Sequence, residues 1–485
     1  MAEQIRVFDD HASEELIREH LQSMLAIQRD AVNANPYPDL AIRKDRIQRA
    51  IADIVNNQDR LIAAMAEDFG QRAEMDSLLA DILYPLNALK HALKQVDQWV
   101  RPEKRKADFP FNILGAKAYV FYQPLGVVGV ISPWNLPFGL AYAPLAGIFS
   151  AGNRAMIKPS ELTPNTSALI ADMVASSFDQ TELTVVQGGL NVAKPFAELP
   201  FDHLIFTGSA PVARSVMASA AKNLTPVTLE LGGKAPVILA KGCDLEQYVG
   251  KIASIKTANG GQACMGLDHI MVHSSDRDRF VELMQQKMAA FFPNYATNPD
   301  VSYVFLPKQR SRLAGLVRDA VASGAQAIFS DGLGLDGLED RAAFPVTMVV
   351  NPTADCALMQ EEIFGPVLPI MTYESMDDLA EQIRTRERPL ALYFLGGSKQ
   401  EQEFLLHNTW SGGVTFDDML FHALQQDLPF GGVGESGMGR YGGHAGFKTF
   451  SNARSVAHPP KINLLKMEPP YTEKMVKMIR GFVKP

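Results

Sequence analysis

The 485 residues exceed what one small core can organise, so two or three domains are expected, and a composition 47% hydrophobic and 21% charged is that of an ordinary globular chain. Forty-six basic residues against 54 acidic leave a net charge of −8, which argues against nucleic acid as an obligate partner, because phosphate binding needs a basic face. Three cysteines cannot make a disulfide framework and suit a reducing compartment, and the charged start "MAEQIRVFDDHASEE" lacks the apolar core of a secretion signal, so the cytoplasm is the expected location.

The first hundred residues predict helices. Ile47, Ile51, Ile54, Leu61 and Met65 recur at spacings of three, four and seven, and Met75, Leu79, Ile82, Leu86, Leu89 and Leu93 repeat the pattern. "YPLN" is expected to interrupt the second of these helices at Pro85. From Ala118 to Asn153 there is no charged residue, but Pro124, Pro133, Pro137, Pro144 and several glycines break the run. A bilayer span needs about 20 unbroken apolar residues, so this stretch reads as buried strand, loop and helix, and membrane contact is not expected.

After Gly126 short β-rich runs appear: "GVVGVI", "RAMIK", "LTVVQG", "HLIFTG" and "VTLELGG". Helical segments such as "TPNTSALIADMVASSF" and "APVARSVMASAAKN" lie between them. Strand and helix in alternation predict an α/β fold, a Rossmann-like doubly wound parallel sheet with helices on both faces. A second α/β series follows, with strands at "APVILA", "HIMVH", "PVTMVV", "FGPVLPIMTY" and "LALYFL". The tail places Met475, Val476, Ile479, Phe482 and Val483 on one helical face, among Lys474, Lys477, Arg480 and Lys484, and is expected to pack on the body or on a sister subunit.

Gly432 to Gly437, "GVGESG", spells the dinucleotide fingerprint but runs into "MGRYGGHAG", too rich in glycine to open the helix a phosphate loop requires. A glycine-rich loop near an active site is the better reading. A stronger cofactor site lies where "FTGSAPVARS" ends a strand and opens a helix at Ser209, whose free N–H groups suit a pyrophosphate. In "IKPSELTP", Lys158 and Glu161 are placed to grip the hydroxyls of an adenosine ribose.

Three residues could carry chemistry. Cys264 follows two glycines in "NGGQACMGLDH", and a thiolate is a strong nucleophile once a base removes its proton. Glu230 ends an apolar strand in "TLELGGKAP", where burial would raise its pKa toward that of a general base. Asn135 in "SPWNLP" offers an amide donor in a proline-framed loop. Taken singly, each is more often a core thiol, a strand-end acid or a turn asparagine. His269 sits on a predicted strand and is not expected to pair with Cys264; Cys243 and Cys356 read as structural. No HExxH or CxxC pairing suggests a metal.

The combination is more telling. "SPWNLP", "KPSELTP", "FTGS", "LELGGKAP", "GQAC", "EEIFGPVLP" and "PFGGVGESGMG", in that order, resemble the aldehyde dehydrogenase superfamily across nearly the whole chain, as does the 34-residue spacing from Glu230 to Cys264. "SGGVTFDD", the closing glycine-rich run and the late "PPYT" resemble its class-three branch. The resemblance implies Cys264 as nucleophile, Glu230 as general base, and Asn135 with the Cys264 N–H as oxyanion hole. It implies a nicotinamide cofactor, NAD with NADP tolerated, held by Lys158, Glu161, Trp134, Thr207, Gly208 and Ser209, with Glu362 and Phe364 of "EEIFGP" at the nicotinamide end.

It further implies a cofactor domain over 1–105 and 125–230, a catalytic domain over 231–450, and a β-arm with tail over 106–124 and 451–485 that joins a homodimer. The substrate expected is an aromatic aldehyde such as coniferyl aldehyde, or a medium-chain hydrophobic one. Thr257 stands where many members carry phenylalanine, and "MGLDH" replaces the commoner "VAPDY", so substrate preference stays open. A coenzyme-A-acylating relative and a cysteine esterase without redox chemistry are the alternatives.

Overall fold

The computed structural model describes residues 7–9, 11–109, 111–461 and 468–483. The first six residues of the charged start and Lys484 of the tail lie outside them.

Two long helices open the fold. Glu14–Ala34 is capped by Ser13 and Leu40–Phe69 by Asp39, each side-chain oxygen accepting an N–H of the first turn, and Gly70 ends the second helix at φ 73°. Ile47, Ile54, Leu61 and Met65 are buried, as the spacing requires. The next helix departs from expectation. The interruption lies before Pro85: Ser77–Leu83 is a π-helical segment, and a regular helix, Tyr84–Trp99, starts with Pro85 in its first turn. The wide segment shifts the stripe within it and before it, leaving Leu79, inside it, 54% and Met75, ahead of it, 60% exposed instead of in the core, while Ile82 and Leu89 are buried.

A six-stranded sheet runs in the order Gly437–Met438, Val227–Glu230, His203–Thr207, Val127–Ile131, Arg154–Lys158, Leu183–Val185. All neighbours are parallel except the first pair. Val128, Val130, Ala155, Ile157 and Ile205 face one helical layer, and Val127, Met156, Leu204 and Phe206 the other. That period of two, apolar on both sides, is what a sheet covered on both faces demands. The chain order reverses between Val127–Ile131 and His203–Thr207, whose outgoing connections diverge and leave a crevice at the strands' carboxyl ends.

A seven-stranded sheet follows in the order Gln326–Phe329, Thr347–Val350, Val367–Tyr373, His269–His273, Pro236–Leu239, Ala391–Leu395, Gly413–Phe416. The first strand, antiparallel, and the last were not expected from the sequence. Their residues are too short and too exposed at the sheet margins to show a clean alternation. A separate three-stranded antiparallel sheet joins Glu103–Arg105, Lys117–Pro124 and Ser451–His458. The terminal helix, Glu473–Phe482, has no fully buried residue: Met475 and Ile479 are half-buried, and Val476, Met478 and Phe482 are exposed.

Candidate active site

The two large sheets meet edge to edge. Register pairs Ile131 with Lys158 and with Phe206, and Thr207 with Glu230, so these residues share the carboxyl edge of the six-stranded sheet. Pro236 pairs with His269 at the opposite, amino edge of the seven-stranded sheet. The segment Leu231–Ala235 crosses from one edge to the other. Cys264 precedes its strand by five residues and Phe364 precedes Val367 by three, which brings both into the same seam.

The glycines before Cys264 have a backbone reason. Asn259, Gly260 and Gly261 take φ of 51°, 62° and 70° in succession, a left-handed course that glycine permits at little cost. A Cβ on Gly261 would lie 2.5 Å from the Gly365 carbonyl carbon, so only glycine lets the nucleophile loop seat against the Glu362–Phe364 loop.

That turn delivers Cys264 to Asn135. Asn135 Nδ2 donates to the Gln262 carbonyl (3.0 Å), while Asn259 Nδ2 donates to the Asn135 carbonyl (2.9 Å) and to that of Gln262 (3.1 Å). Asp76, beside the π-helical segment, accepts the Asn259 N–H (2.7 Å). Asp81, within that segment, accepts the N–H groups of Phe138 and Gly139 (3.0 and 2.8 Å) and pairs with buried Arg72 (2.6 Å). The same segment therefore braces both the Asn135 loop and the Cys264 loop.

Glu230 is 2% exposed, and neither of its carboxylate oxygens has a hydrogen-bond partner. Burial raises its pKa well above the usual carboxylate range, against a smaller pull from Arg440. The glycine-rich run confirms its second reading: Gly434–Ser436 is a single turn, Gly437 pairs with Glu230, and a Cβ on Gly431 would lie 3.0 Å from Glu230 Oε1.

Cys264 is half-buried, and its thiol is pushed up to about 12 by burial, then by the charges of Glu362 and Glu230, while the N–H groups of Met265 and Cys264 itself pull it down. Glu362 is raised to about 7 by burial, countered by the Gly233 N–H, and a Cβ on Gly232 would overlap its carboxylate. His269 turns away to Asp268 (3.3 Å), so no Cys–His dyad forms.

The residues expected to hold a cofactor lie along the same edge. Lys158 is 2% exposed, donates from Nζ to the Pro159 carbonyl (2.7 Å), and lies 3.4 Å from Glu161 Oε2. Ser209 is the N-cap of Ala210–Ala221, but its side chain makes no capping bond; Gly208 N–H donates to the Glu230 carbonyl (3.0 Å). Trp134 meets Phe364 edge-on at 5.5 Å, and Phe364 holds φ 48°.

Sequence reasoning missed three groups. Phe305 packs edge-on against Trp134 at 5.5 Å. The Tyr84 and Tyr441 hydroxyls are 3.0 Å apart in a part-buried pair, and both are raised by burial and by the nearby charges of Glu230 and Cys264. Cationic side chains hold the Glu362 loop. Of these only Tyr441 carried a local signal, its place in the glycine-rich run. Among the described residues no helix is long and apolar enough to cross a membrane.

The chain's likenesses to known proteins agree with this layout. The aldehyde dehydrogenase family model matches residues 15–456. A coniferyl aldehyde dehydrogenase from a Pseudomonas strain is 44% identical over 441 residues, 90% of this chain and 90% of that one. Among solved structures, Staphylococcus aureus AldH in a substrate-bound state superposes with a TM-score of 0.87 at 33% identity, covering 96% of this chain and 99% of its own. A Mycobacterium tuberculosis aldehyde dehydrogenase complexed with NAD+ does so with a TM-score of 0.81 at 26% identity, covering 92% of each. A buried acid and a thiol at the seam of two sheets, in a chain matched over almost its entire length, make this protein a member of the aldehyde dehydrogenase family.

Proposed function

We propose that the chain oxidises hydrophobic aldehydes, aromatic ones such as coniferyl aldehyde foremost, to carboxylic acids with NAD+ through a thioester on Cys264. The observation that carries the reading is Glu230: a buried carboxylate with both oxygens unpartnered, whose charge acts on the half-buried Cys264 thiol. Such a group is costly to the fold unless it is used. The similarity to a coniferyl aldehyde dehydrogenase over most of both chains supports the substrate class.

Glu230 accepts the Cys264 proton, and Sγ adds to the aldehyde carbon. The carbonyl π electrons move to oxygen, giving an oxyanion. One N–H of Asn135 Nδ2 is committed to the Gln262 carbonyl, which fixes the amide so that the other faces the oxyanion beside the Cys264 N–H. Trp134, Glu362 and Phe364 would hold an oxidised nicotinamide at this seam, and that group would supply the acceptor for the hydride leaving the carbon as the oxyanion collapses to the thioester. Glu230, having passed the thiol proton to solvent, removes a proton from water; hydroxide adds to the thioester carbon, the C–S bond breaks with its electron pair on sulfur, the acid leaves, and the proton on Glu230 returns to the thiolate. Lys158 and Glu161 fit the adenosine ribose, since a buried ammonium and a neighbouring half-exposed carboxylate offer a donor and an acceptor at the strand end. The carboxylate would repel a 2′-phosphate, which favours NAD+ over NADP+.

Residues 1–105 and 125–230 are assigned to the cofactor domain, 231–450 to the catalytic domain, and 106–124 with 451–485 to the arm and tail, except that Glu103–Arg105 pairs into the three-stranded sheet and Gly437–Met438 into the six-stranded one. The three-stranded sheet, which stands apart from both large sheets, supports a homodimer arm, and the composition supports a cytoplasmic setting.

The test is reduced-cofactor formation across aromatic, aliphatic and semialdehyde substrates with NAD+ and NADP+. The expected result is highest kcat/KM for an aromatic aldehyde with NAD+, rising with pH because both Glu230 and Cys264 are raised above their ordinary values and their basic forms grow in that direction. Acyl transfer to coenzyme A in place of water, or ester hydrolysis with no cofactor reduction by any aldehyde, would replace this reading. Asn135→Ala is expected to lower kcat/KM about 10²–10³-fold, the loss of one preorganised oxyanion donor, with little change in thermal midpoint.

A further inference from the structure

The loop that presents Glu362 and Phe364 is held by four charged side chains from separate parts of the chain. Lys234 Nζ donates to the carbonyls of Leu358 (2.9 Å) and Glu361 (2.8 Å). Arg386 donates to Met359 (2.9 Å), and Arg312 to Glu362 (3.0 Å) and Ile363 (2.5 Å). Asp268, four residues after Cys264, accepts the Ile363 N–H (3.0 Å) through Oδ2 and pairs through Oδ1 with Lys234 at 2.6 Å. Asp268 N–H donates in turn to the Ala235 carbonyl (3.0 Å).

Sheet order explains the convergence. Asp268 stands at the start of His269–His273, which lies between Pro236–Leu239 and Val367–Tyr373. Lys234 leads into one neighbour and Ile363 into the other, so one carboxylate spans three strand entries. A buried ion pair is an inefficient way to stabilise a core, because desolvation cancels most of its attraction. It does fix relative position, and the loop needs fixing: Phe364 has positive φ, a conformation kept only where its surroundings over-determine it.

We propose that Asp268, paired with Lys234, is a positioning residue that locks the Glu362–Phe364 loop to the Cys264 loop and so sets the alignment between the thiol adduct and the nicotinamide site. The inference rests on the proposed function. In Asp268→Asn one acceptor remains, while the counter-charge of Lys234 is lost; Arg312→Gln releases the same loop from a half-exposed side, with less risk to folding.

Three measurements separate alignment from general damage. These are the single-turnover burst of reduced cofactor, calorimetric affinity for NAD+, and hydrolysis of p-nitrophenyl acetate without cofactor, which acylates Cys264 but needs no hydride acceptor. Expected in both variants is a burst slowed about 10²-fold by misalignment of about an ångström, with weaker NAD+ binding and ester hydrolysis kept within about threefold of wild type. An unchanged burst, or burst and ester hydrolysis falling together, overturns the proposal. If Asp268→Asn does not fold, Arg312→Gln decides alone. A wild-type protein that reduces no cofactor would instead sink the proposed function.

Discussion

Cys264→Ser is expected to form no acid and no burst of reduced cofactor, with turnover lowered by about 10⁴-fold or more, as for loss of a covalent nucleophile. Burial and the charges of Glu362 and Glu230 push the thiol up to about 12, so the proposed mechanism needs the raised, buried Glu230 as the base that takes its proton. A serine hydroxyl is a weaker acid still, beyond what Glu230 can deprotonate. Cofactor affinity and thermal midpoint should be unchanged, because the side chains differ by one atom. A spectrophotometric burst and a calorimetric titration on the same preparation check both halves; substantial turnover in the variant would remove Cys264 from the chemistry.

Glu230→Gln separates the two halves of the reaction. The first turnover should still release about one reduced cofactor per site, more slowly. The steady state should then drop about 10²–10⁴-fold, the usual contribution of a general base. Mass spectrometry of the quenched enzyme should find the acyl group on Cys264. A wild-type steady state would refute the role.

A stability effect accompanies it. The folded pKa of Glu230 is raised, so its contribution to stability is present at acid pH and is lost as pH climbs from the ordinary carboxylate range through the raised value. The amide cannot ionise, so Glu230→Gln should melt no lower than wild type near neutrality and higher at alkaline pH. Melting curves across that range give the sign directly.

Much of this was legible along the chain. The strands "GVVGVI", "RAMIK" and "HLIFTG" reveal themselves as short apolar stretches between turns, and the structure places strands in all three. The decoy at Gly432–Gly437 fails in the structure because Gly434–Ser436 is a single turn that runs into the strand Gly437–Met438, and a helix opens only later in the run, at Gly443. Where competing local structure intervened, the reading slipped. Met75 and Leu79 keep the helical spacing of a core stripe, yet the π-helical segment turns them outward. Gln326–Phe329 and Gly413–Phe416 became strands only because neighbouring strands offered edges to pair with.

By itself the sequence determined the order of strands and helices, the glycine-permitted turn before Cys264, and the identities of the thiol, acid and amide, since these depend on periodicity and residue type within a short window. Tertiary structure alone decided that the carboxyl edge of one sheet faces the amino edge of the other. It also stripped Glu230 of every hydrogen-bond partner and seated Asp268 between Lys234 and Ile363. The physical reason is that desolvation and ion pairing depend on which distant segments exclude water from a group, and that is a property of the packed fold, carried by no single stretch of the chain.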